Sequence, residues 1–593
     1  MREYNVPGFV EIPDHANCVA TIVDRAERDP GSVVFLRKVG PTWTDVTVRE
    51  FADQVSALAK GMIASGIESG DRVAIMGRTR YEWTLIDYAV WAVGAVSVPI
   101  YENASAEQIQ WVVSDSGTKA VFAELDEHEE RIREVLPELP ELGQIWRFDR
   151  LDELNAQGAE VDDAVLATHR TSRKADDLAT IIYTSGTTGM PKGCRLTHRN
   201  LLFTSRTAVF GALKTVFTQQ GRSTILFLPL AHSFARIIEV GAVESSTPLG
   251  HTPDLANVAP ELLSFRPLFL LSVPRVFEKV YNRAEQKAIA EGKDKIFRIA
   301  VDTAIAYSRS LDGSGPGLGL RIKHAVFTKL VYGKLRAAVG GRLTGALSGG
   351  SALGERLGHF FRGVGIEIYE GYGLTETSAP TSVNTPELNK IGSVGKPLPG
   401  TTVAIAEDGE VLVKGDHVFD GYWNNEEATA EVMDEQGWFH TGDIGELDSD
   451  GYLRITGRKK EIIVTAGGKN VAPAPLEDRI RAHPLVSQCV VVGDDRPFIG
   501  ALISIDPEAL DQWRKDNGKP GAVASGTPEI RAAVQKAVDE ANRSVSKAES
   551  IRKFVLLDED LTVASGHLTP SLKLKRNVVA QDFAEEIESI YRK

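Results

Sequence analysis

Leu178-Ala-Thr-Ile-Ile-Tyr-Thr-Ser-Gly-Thr-Thr-Gly-Met-Pro-Lys-Gly193 joins an apolar, β-branched run to a loop dense in glycine and hydroxyl groups. The run up to Tyr183 reads as a buried strand, and a loop at a strand's end is where an open α/β sheet presents its ligands. Glycines at 186, 189 and 193 let backbone N–H groups approach an anion without a Cβ in the way. Thr184, Ser185, Thr187 and Thr188 add hydroxyl donors, and Lys192 adds positive charge. The loop is not a Walker A motif, because Gly193 follows Lys192 where Ser or Thr is required and Pro191 sits where that motif begins its helix.

Working outward, 593 residues are too many for one compact core, so two or more domains are expected. Hydrophobic residues at 42% and charged residues at 25% describe an ordinary globular protein. A net charge of −14 argues against general nucleic-acid binding. The three cysteines, Cys18, Cys194 and Cys489, are far apart and lack metal-ligand spacing, which reads as free thiols in a reducing cytosol. The first residues form no cleavable apolar segment, and the most apolar stretch, 88–100, is too short to span a bilayer. Peripheral membrane contact stays open.

The first third alternates helix and strand. Helices are expected over 46–67 and 83–95, with strands at 72–76 and 97–101. That βαβ rhythm implies a doubly wound, largely parallel sheet. It is expected to recur around 178–200, where Thr197 or His198 would cap a helix, and around 224–240. Asp312-Gly-Ser-Gly-Pro-Gly-Leu-Gly319 reads as an exposed excursion. From 393 to 456, short alternating strands with Gly and Asp turns suggest a small β-barrel-like subdomain. After Arg458-Lys-Lys-Glu461 the helix–strand pattern returns, with helices over 475–482 and 528–545 and strands at 486–492, 501–505 and 551–557. A last loop and a final helix follow. The expected fold is therefore α/β: a large N-terminal domain, 1–459, and a small C-terminal α/β domain, 460–593.

Further motifs carry chemistry. Tyr369-Glu-Gly-Tyr-Gly-Leu-Thr-Glu376 offers a flat ring at Tyr372 and a carboxylate at Glu376, an oxygen ligand suited to a hard cation. Asp443 lies among glycines in Gly437-Trp-Phe-His-Thr-Gly-Asp-Ile-Gly445 and could equally be a turn-forming aspartate. Thr456-Gly-Arg-Lys-Lys-Glu461 reads as a solvated charged linker, and Leu568-Thr-Pro-Ser-Leu-Lys-Leu-Lys-Arg576 as a basic surface cluster. His232 in Leu228-Pro-Leu-Ala-His-Ser-Phe-Ala-Arg236 could be a structural histidine, and Ser272-Val-Pro-Arg-Val-Phe-Glu-Lys279 opens a helix on a proline.

In order and spacing these segments resemble the signatures of the adenylate-forming enzymes, which include acyl-CoA synthetases, luciferases and the adenylation domains of peptide synthetases. The resemblance covers essentially the whole chain. It implies ATP binding by Thr184, Ser185, Gly186, Thr187, Thr188, Gly189, Lys192, Gly350, Ser351, Tyr372, Gly373 and Thr375, with Asp443 and Arg458 on the ribose. It implies Mg²⁺ held by Thr184 and Glu376, an acyl pocket bordered by Phe234 and Gly371, and an acyl site closed by His232. Lys573 falls on the catalytic lysine, with Lys575 as the competing candidate, and Lys460 on the hinge of a mobile C-terminal domain. Gly467 and Gly468, in Ala466-Gly-Gly-Lys-Asn470, fall on the segment lining the tunnel for coenzyme A. Leu572 departs from the commoner glycine before the lysine, but the Leu-Thr-Pro-Ser-Leu-Lys form and the 272–279 element are similar to the long-chain acyl-CoA synthetase branch. Amino-acid-activating relatives carry an Asp near the acyl gate, and none lies between Thr224 and Thr247. The resemblance thus implies a cytoplasmic long-chain fatty-acid–CoA ligase with ATP, Mg²⁺, CoA and a fatty acid as its partners. The alternative is a fatty-acyl-AMP ligase loading a carrier protein, which the CoA-tunnel-like segment disfavours. Self-association into a homodimer stays open.

Overall fold

The computed structural model describes residues 2–184, 190–253, 258–517, 527–569 and 574–592. A six-stranded sheet runs in the order Gln144–Arg147, Thr118–Ala123, Arg72–Met76, Val96–Ile100, Leu178–Thr184, Lys192–Thr197, with every neighbouring pair parallel except the last. The expected helices run Val48–Ala64 and Tyr81–Val93. The first starts on a reciprocal cap, in which Thr47 and Glu50 each accept a backbone N–H of the other. The second is buried on every face, as its almost unbroken apolar sequence demands.

The sequence reading fails at 178–200. Leu178–Thr184 and Lys192–Thr197 pair antiparallel, with Tyr183 opposite Gly193 and Thr184 opposite Lys192. The Gly/Thr loop is thus the tip of a hairpin, not the entry to a βαβ crossover. A parallel return needs a dozen or more residues, and the loop is shorter than that. Thr197 is the cap of the helix that follows, His198–Thr207, in a box with Asn200.

A second sheet sets Phe269–Ser272, Gly345–Ser348 and Glu367–Tyr372 in parallel, then adds two short antiparallel strands, Ser382–Val383 and Lys396–Pro397. A third contains Thr224–Leu226, Leu249–His251, Val33–Val39 and Thr42–Thr47. The β-rich region forms a half-barrel of antiparallel strands, Thr402–Ile405, Glu410–Lys414, Phe439–Leu447 and Leu453–Arg458, joined at one edge by Glu3–Asn5. Its recruitment of the N-terminal residues had no periodic signal in the sequence.

Beyond the half-barrel, helices Ala474–Arg481 and Pro528–Asn542 pack on a three-stranded sheet of Val486–Val492, Ile499–Ile505 and Ile551–Leu556. Leu476, Ile480, Ile499, Ile503, Ile530 and Val534 belong to an apolar core separate from those of the preceding residues. The expected final helix is two short ones, Arg576–Asp582 and Ala584–Tyr591. Three helices, Pro274–Ala290, Asp294–Leu311 and Leu318–Phe327, form an excursion from the second sheet, with Pro274 at the first helical position and residues 312–317 as the exposed loop. No helix among the described residues is long and apolar enough to cross a membrane.

Candidate active site

A cleft of about 2370 Å³ opens between the second sheet, the half-barrel and the C-terminal region. His232, Phe234, Gly350, Ser351, Gly371, Tyr372, Gly373, Asp443, Arg458 and Lys460 all line it. Residues some 230 positions apart in sequence converge on one space, a size suited to a substrate larger than a drug-sized ligand.

At one end stands the Ser233–Ser245 helix. His232 caps it, its Nδ1 accepting the Phe234 N–H at 3.2 Å, so this histidine has a structural task alongside its place on the cleft wall. Phe234 is buried, with its ring beside Gly349. The helix is held from behind by a fully buried charge cluster. Arg236 pairs with Asp87 of the 81–93 helix at 2.6 Å, lies over the rings of Trp83 and Trp91 at 5.1 and 5.2 Å, and reaches Glu239 at 3.7 Å. Burial pushes the Asp87 and Glu239 carboxyls up, and Arg236 pulls them back. Removing one partner of such a buried pair costs about 3–5 kcal/mol, because the other charge is left without compensation. This cluster escaped the sequence reading, since Asp87 and Arg236 lie in unrelated segments.

On the half-barrel side, the Tyr372 hydroxyl donates to Asp443 Oδ2 at 2.7 Å and Arg458 Nε donates to Oδ1 at 2.9 Å. Asp443 and Arg458 face each other on neighbouring strands, and the Asp443 N–H is held by Thr441 Oγ1. Burial and the adjacent Asp443 carboxylate push the Tyr372 phenol well up, so it remains a donor. Gly373 is demanded by packing, because a Cβ would come within 2.9 Å of Pro380 Cα. Gly350 has φ +86°, the conformation that favours glycine. The turn after it is pinned by Glu370, whose Oε1 accepts the Leu353 N–H at 2.8 Å. Burial raises the Glu370 carboxyl to about 7.

Thr184, Lys192, Thr375 and Glu376 do not border the cleft, although Met190 and Pro191 do. They lie together behind it. Glu376 Oε1 accepts the Tyr422 hydroxyl at 2.8 Å, and Lys192 Nζ stands 5.1 Å over the same ring. Among the described residues, Thr184 Oγ1 has only long contacts, 3.5 Å to the Lys192 carbonyl and 3.9 Å to Cys194 Sγ. Cys194 is buried, and its thiol is pushed up by burial and by Glu376, which makes it filler in this cluster. Thr375 is buried, its hydroxyl 3.3 Å from that of Ser233. The stem of the Gly/Thr loop is clamped. Tyr183 donates to Asp115, Trp111 Nε1 donates to the Pro191 carbonyl at 2.9 Å, and the Trp423 N–H donates to the Gly193 carbonyl at 2.7 Å. Ser185, Gly186, Thr187, Thr188 and Gly189 lie outside the described residues.

The geometry is matched by sequence. A model of the AMP-binding enzyme family fits residues 22–423, and one of the AMP-binding enzyme C-terminal domain fits residues 460–593. The chain belongs to the AMP-binding enzyme family. It is 51% identical, over 100% of both chains, to a protein of Mycobacterium tuberculosis named long-chain-fatty-acid–CoA ligase FadD15. It is 31% identical to the long-chain-fatty-acid–CoA ligase ACSBG2 of Xenopus laevis, over 94% of this chain and 82% of that one. Among solved structures, an anthranilate CoA ligase in complex with anthranoyl-AMP superposes with a TM-score of 0.74 at 17% identity, covering 98% of this chain and 99% of that one. The o-succinylbenzoate CoA synthetase of Bacillus subtilis, in complex with ATP and magnesium ion, gives 0.68 at 21% identity over 94% and 98%. These structures share the fold: a large N-terminal part built on mixed α/β sheets with a half-barrel, and a small C-terminal α/β part.

In this AMP-binding enzyme the C-terminal segments differ in their relation to the cleft. Leu574, Lys575 and Arg576 line it, and Lys573 immediately before them lies outside the described residues. Gly467 and Gly468 stand at the tip of a hairpin between Ile463–Val464 and Asn470–Val471, exposed and away from the cleft lining. Lys460 sits in a 3-10 turn, Lys459–Glu461, at the cleft. Its neighbour Lys459, read as a solvated linker residue, is in fact paired with Asp408 at 2.5 Å and Glu410 at 3.0 Å of the half-barrel. Arg576 spans Glu461 and Glu477, tying the end of the Lys573 segment to the turn. Arg275 of the proline-led 272–279 element donates to the Ser487 carbonyl at 3.4 Å, so that element touches the C-terminal region.

AMP-binding enzymes of this kind use ATP, Mg²⁺ and CoA. The donor set behind the cleft suits Mg²⁺, which takes one or two protein oxygens and fills its octahedron with water and phosphate. Glu376 supplies a carboxylate, and the Thr184 hydroxyl lacks a short partner among the described residues. No group of three or more His, Cys, Asp or Glu is gathered there or elsewhere among the described residues, so no all-protein cage competes. Sequence reasoning missed Tyr422 and Trp423, which complete this corner; an aromatic pair after Gly421 was the available signal.

Proposed function

We propose that the chain is an ATP-dependent long-chain fatty-acid–CoA ligase that forms an acyl-adenylate and passes the acyl group to coenzyme A, releasing AMP and pyrophosphate. The observation that carries the reading is one cleft bounded by the Tyr372–Asp443–Arg458 chain, an apolar gate at Phe234, and the residues following Lys573. Full-length likeness to proteins named long-chain-fatty-acid–CoA ligases supports the substrate class.

A carboxylate has no good leaving group, so its oxygen must first attack the α-phosphorus of ATP and expel pyrophosphate. Two anions meet at that point, and preorganised positive charge there dominates the rate. Asp443 and Arg458 would fix the ribose, and Gly350 and Ser351 would border the base beside Tyr372. Thr184 and Glu376 would hold Mg²⁺, which would supply positive charge against the polyphosphate. The loop at 183–193 would receive the departing pyrophosphate. Lys573 would bridge carboxylate and α-phosphate oxygens. The acyl chain would enter past Phe234 and Gly371, with His232 at the gate. The same space must next admit a thiol, so the domains are divided at 459/460, and 460–593 turns about Lys460 to withdraw Lys573 and bring Gly467–Gly468 to the cleft. The arrangement described here, with 574–576 at the cleft and the Gly467 tip away from it, suits the first of these steps.

With a long-chain fatty acid, ATP and CoA, AMP should appear in step with acyl-CoA. Lys573→Ala should lose about 10²–10³ in adenylate formation yet still convert supplied acyl-adenylate and CoA to product. Loss of both half-reactions in a folded variant would overturn the role given to Lys573, and adenylate release without CoA consumption would overturn the ligase reading.

A further inference from the structure

The excursion helices carry a surface unlike the rest of the molecule. Eight of the sixteen large apolar side chains exposed among the described residues fall between Ile289 and Leu330. Four of them, Leu318 (76% exposed), Ile322 (59%), Val326 (49%) and Leu330 (55%), recur every fourth residue along the Leu318–Phe327 helix and the turn that continues it. That spacing places them in one stripe, while Phe327 packs inward on the opposite face. Arg321 and Lys323 project on either side of the stripe, and Lys329 lies near its end. All three are exposed, and among the described residues none has an ion-pair partner.

Charge is distributed just as unevenly. No Asp or Glu occurs from Gly313 to Gly354, a stretch that holds six Lys and Arg, in a chain of net charge −14. Scattered exposed apolar residues need no explanation, but a continuous stripe rimmed by cations does. A second copy of this chain would bring the same cations face to face. An anionic lipid surface satisfies both features at once, because acyl chains take the stripe and headgroups take the flanking cations.

We propose that the Leu318–Leu330 stripe docks this protein onto anionic bilayers, with the excursion lying in the plane of the interface. The proposal goes beyond the ligase reading and stands on the surface alone. The same excursion also reaches the cleft, because Ile289, Arg298, Ile305 and Arg309 line it. Docking would therefore put that end of the cleft close to the lipid.

The test is co-sedimentation of the full chain with phosphatidylcholine vesicles, with and without about one-third phosphatidylglycerol. Binding should be at least ~10-fold stronger with the anionic lipid and fall in about 0.5 M salt. Ile322→Asp/Val326→Asp should lose ~10-fold or more, and Arg321→Glu/Lys323→Glu/Lys329→Glu should remove the preference for anionic vesicles. Both should retain wild-type adenylation of a water-soluble short-chain acid, which reports an intact fold. Wild-type vesicle binding by either folded variant would overturn the proposal. So would a wild-type dimer, by sedimentation equilibrium, that the Asp variant turns into monomer with vesicle binding unchanged, because the stripe would then belong to a second copy.

Discussion

The cleft's Tyr372–Asp443–Arg458 corner and the Gly467–Gly468 hairpin tip are both built from short glycine-bearing motifs, and they are finished in opposite ways. In the corner, Tyr372, Asp443, Arg458 and Thr441 hold one another, Glu370 pins Leu353, and even Gly373 is required by the backbone behind it. At the tip, Gly468 has φ +74° and nothing within 4 Å of where its Cβ would lie, and Gly467 would meet only Thr465 Oγ1 at 3.9 Å. The corner resists reorganisation, as the proposed fixing of the ribose requires. The tip keeps open space around it, as the proposed turn of 460–593 towards the cleft requires.

The comparison can be broken most directly at Asp443. Asp443→Ala removes the acceptor for both Tyr372 and Arg458 and should lower kcat/KM for ATP in pyrophosphate release by about 10²–10³, some 3–4 kcal/mol. A loss below about tenfold would mean that the corner is not braced through this residue.

Glu370 sharpens it through pH. Burial raises its carboxyl in the folded protein to about 7, against an ordinary value of 4.5, so the folded state holds the proton more tightly than the unfolded chain. Its stabilising contribution is full below about pH 4.5 and is lost as pH rises towards and through 7, a fall on the order of 3 kcal/mol. Glu370→Gln stays neutral throughout. Its unfolding midpoint should therefore exceed the wild type's at about pH 8 and match it at about pH 4.5. A difference between the two proteins that does not change with pH would show that burial of the ionised carboxylate is not what this corner withstands.

The smallest effect is expected at the tip. Gly467→Val should cut the CoA-dependent half-reaction about tenfold, roughly 1.4 kcal/mol, by crowding the thiol's path, with adenylate formation changed by less than about twofold. Comparable losses in both half-reactions would place the tip in the static site and erase the contrast.

The legible parts of the site share a physical cause. Tyr372, Glu376, Asp443, Arg458 and the 183–193 loop sit in short segments where glycine, hydroxyl and charge are packed together, so chemistry shows in local spacing. Most strands and helices were legible too, because burial on one face imposes a period of two or 3.6 residues. The antiparallel return at 192–197 was missed because an alternating or apolar run does not state the direction of its partner strand. Tyr422, Asp87 and Arg236 were missed because each acts through a partner distant in sequence: Glu376 for the first, and one another for the other two.

What this sequence determines by itself is therefore the list of parts: a loop of glycines and hydroxyls, carboxylates at Glu376 and Asp443 among glycines, a lysine segment and the α/β rhythm that carries them. These follow from covalent neighbours, since a turn, a cap or an amphipathic face is set within a few residues. Only the tertiary structure decides that the loop is a hairpin tip clamped by Trp111 and Trp423, that a buried ion cluster holds the Ser233–Ser245 helix, and that the last helix of the excursion presents an apolar stripe to solvent. Those facts depend on which distant groups are brought out of water together, and burial is a property of the assembled fold.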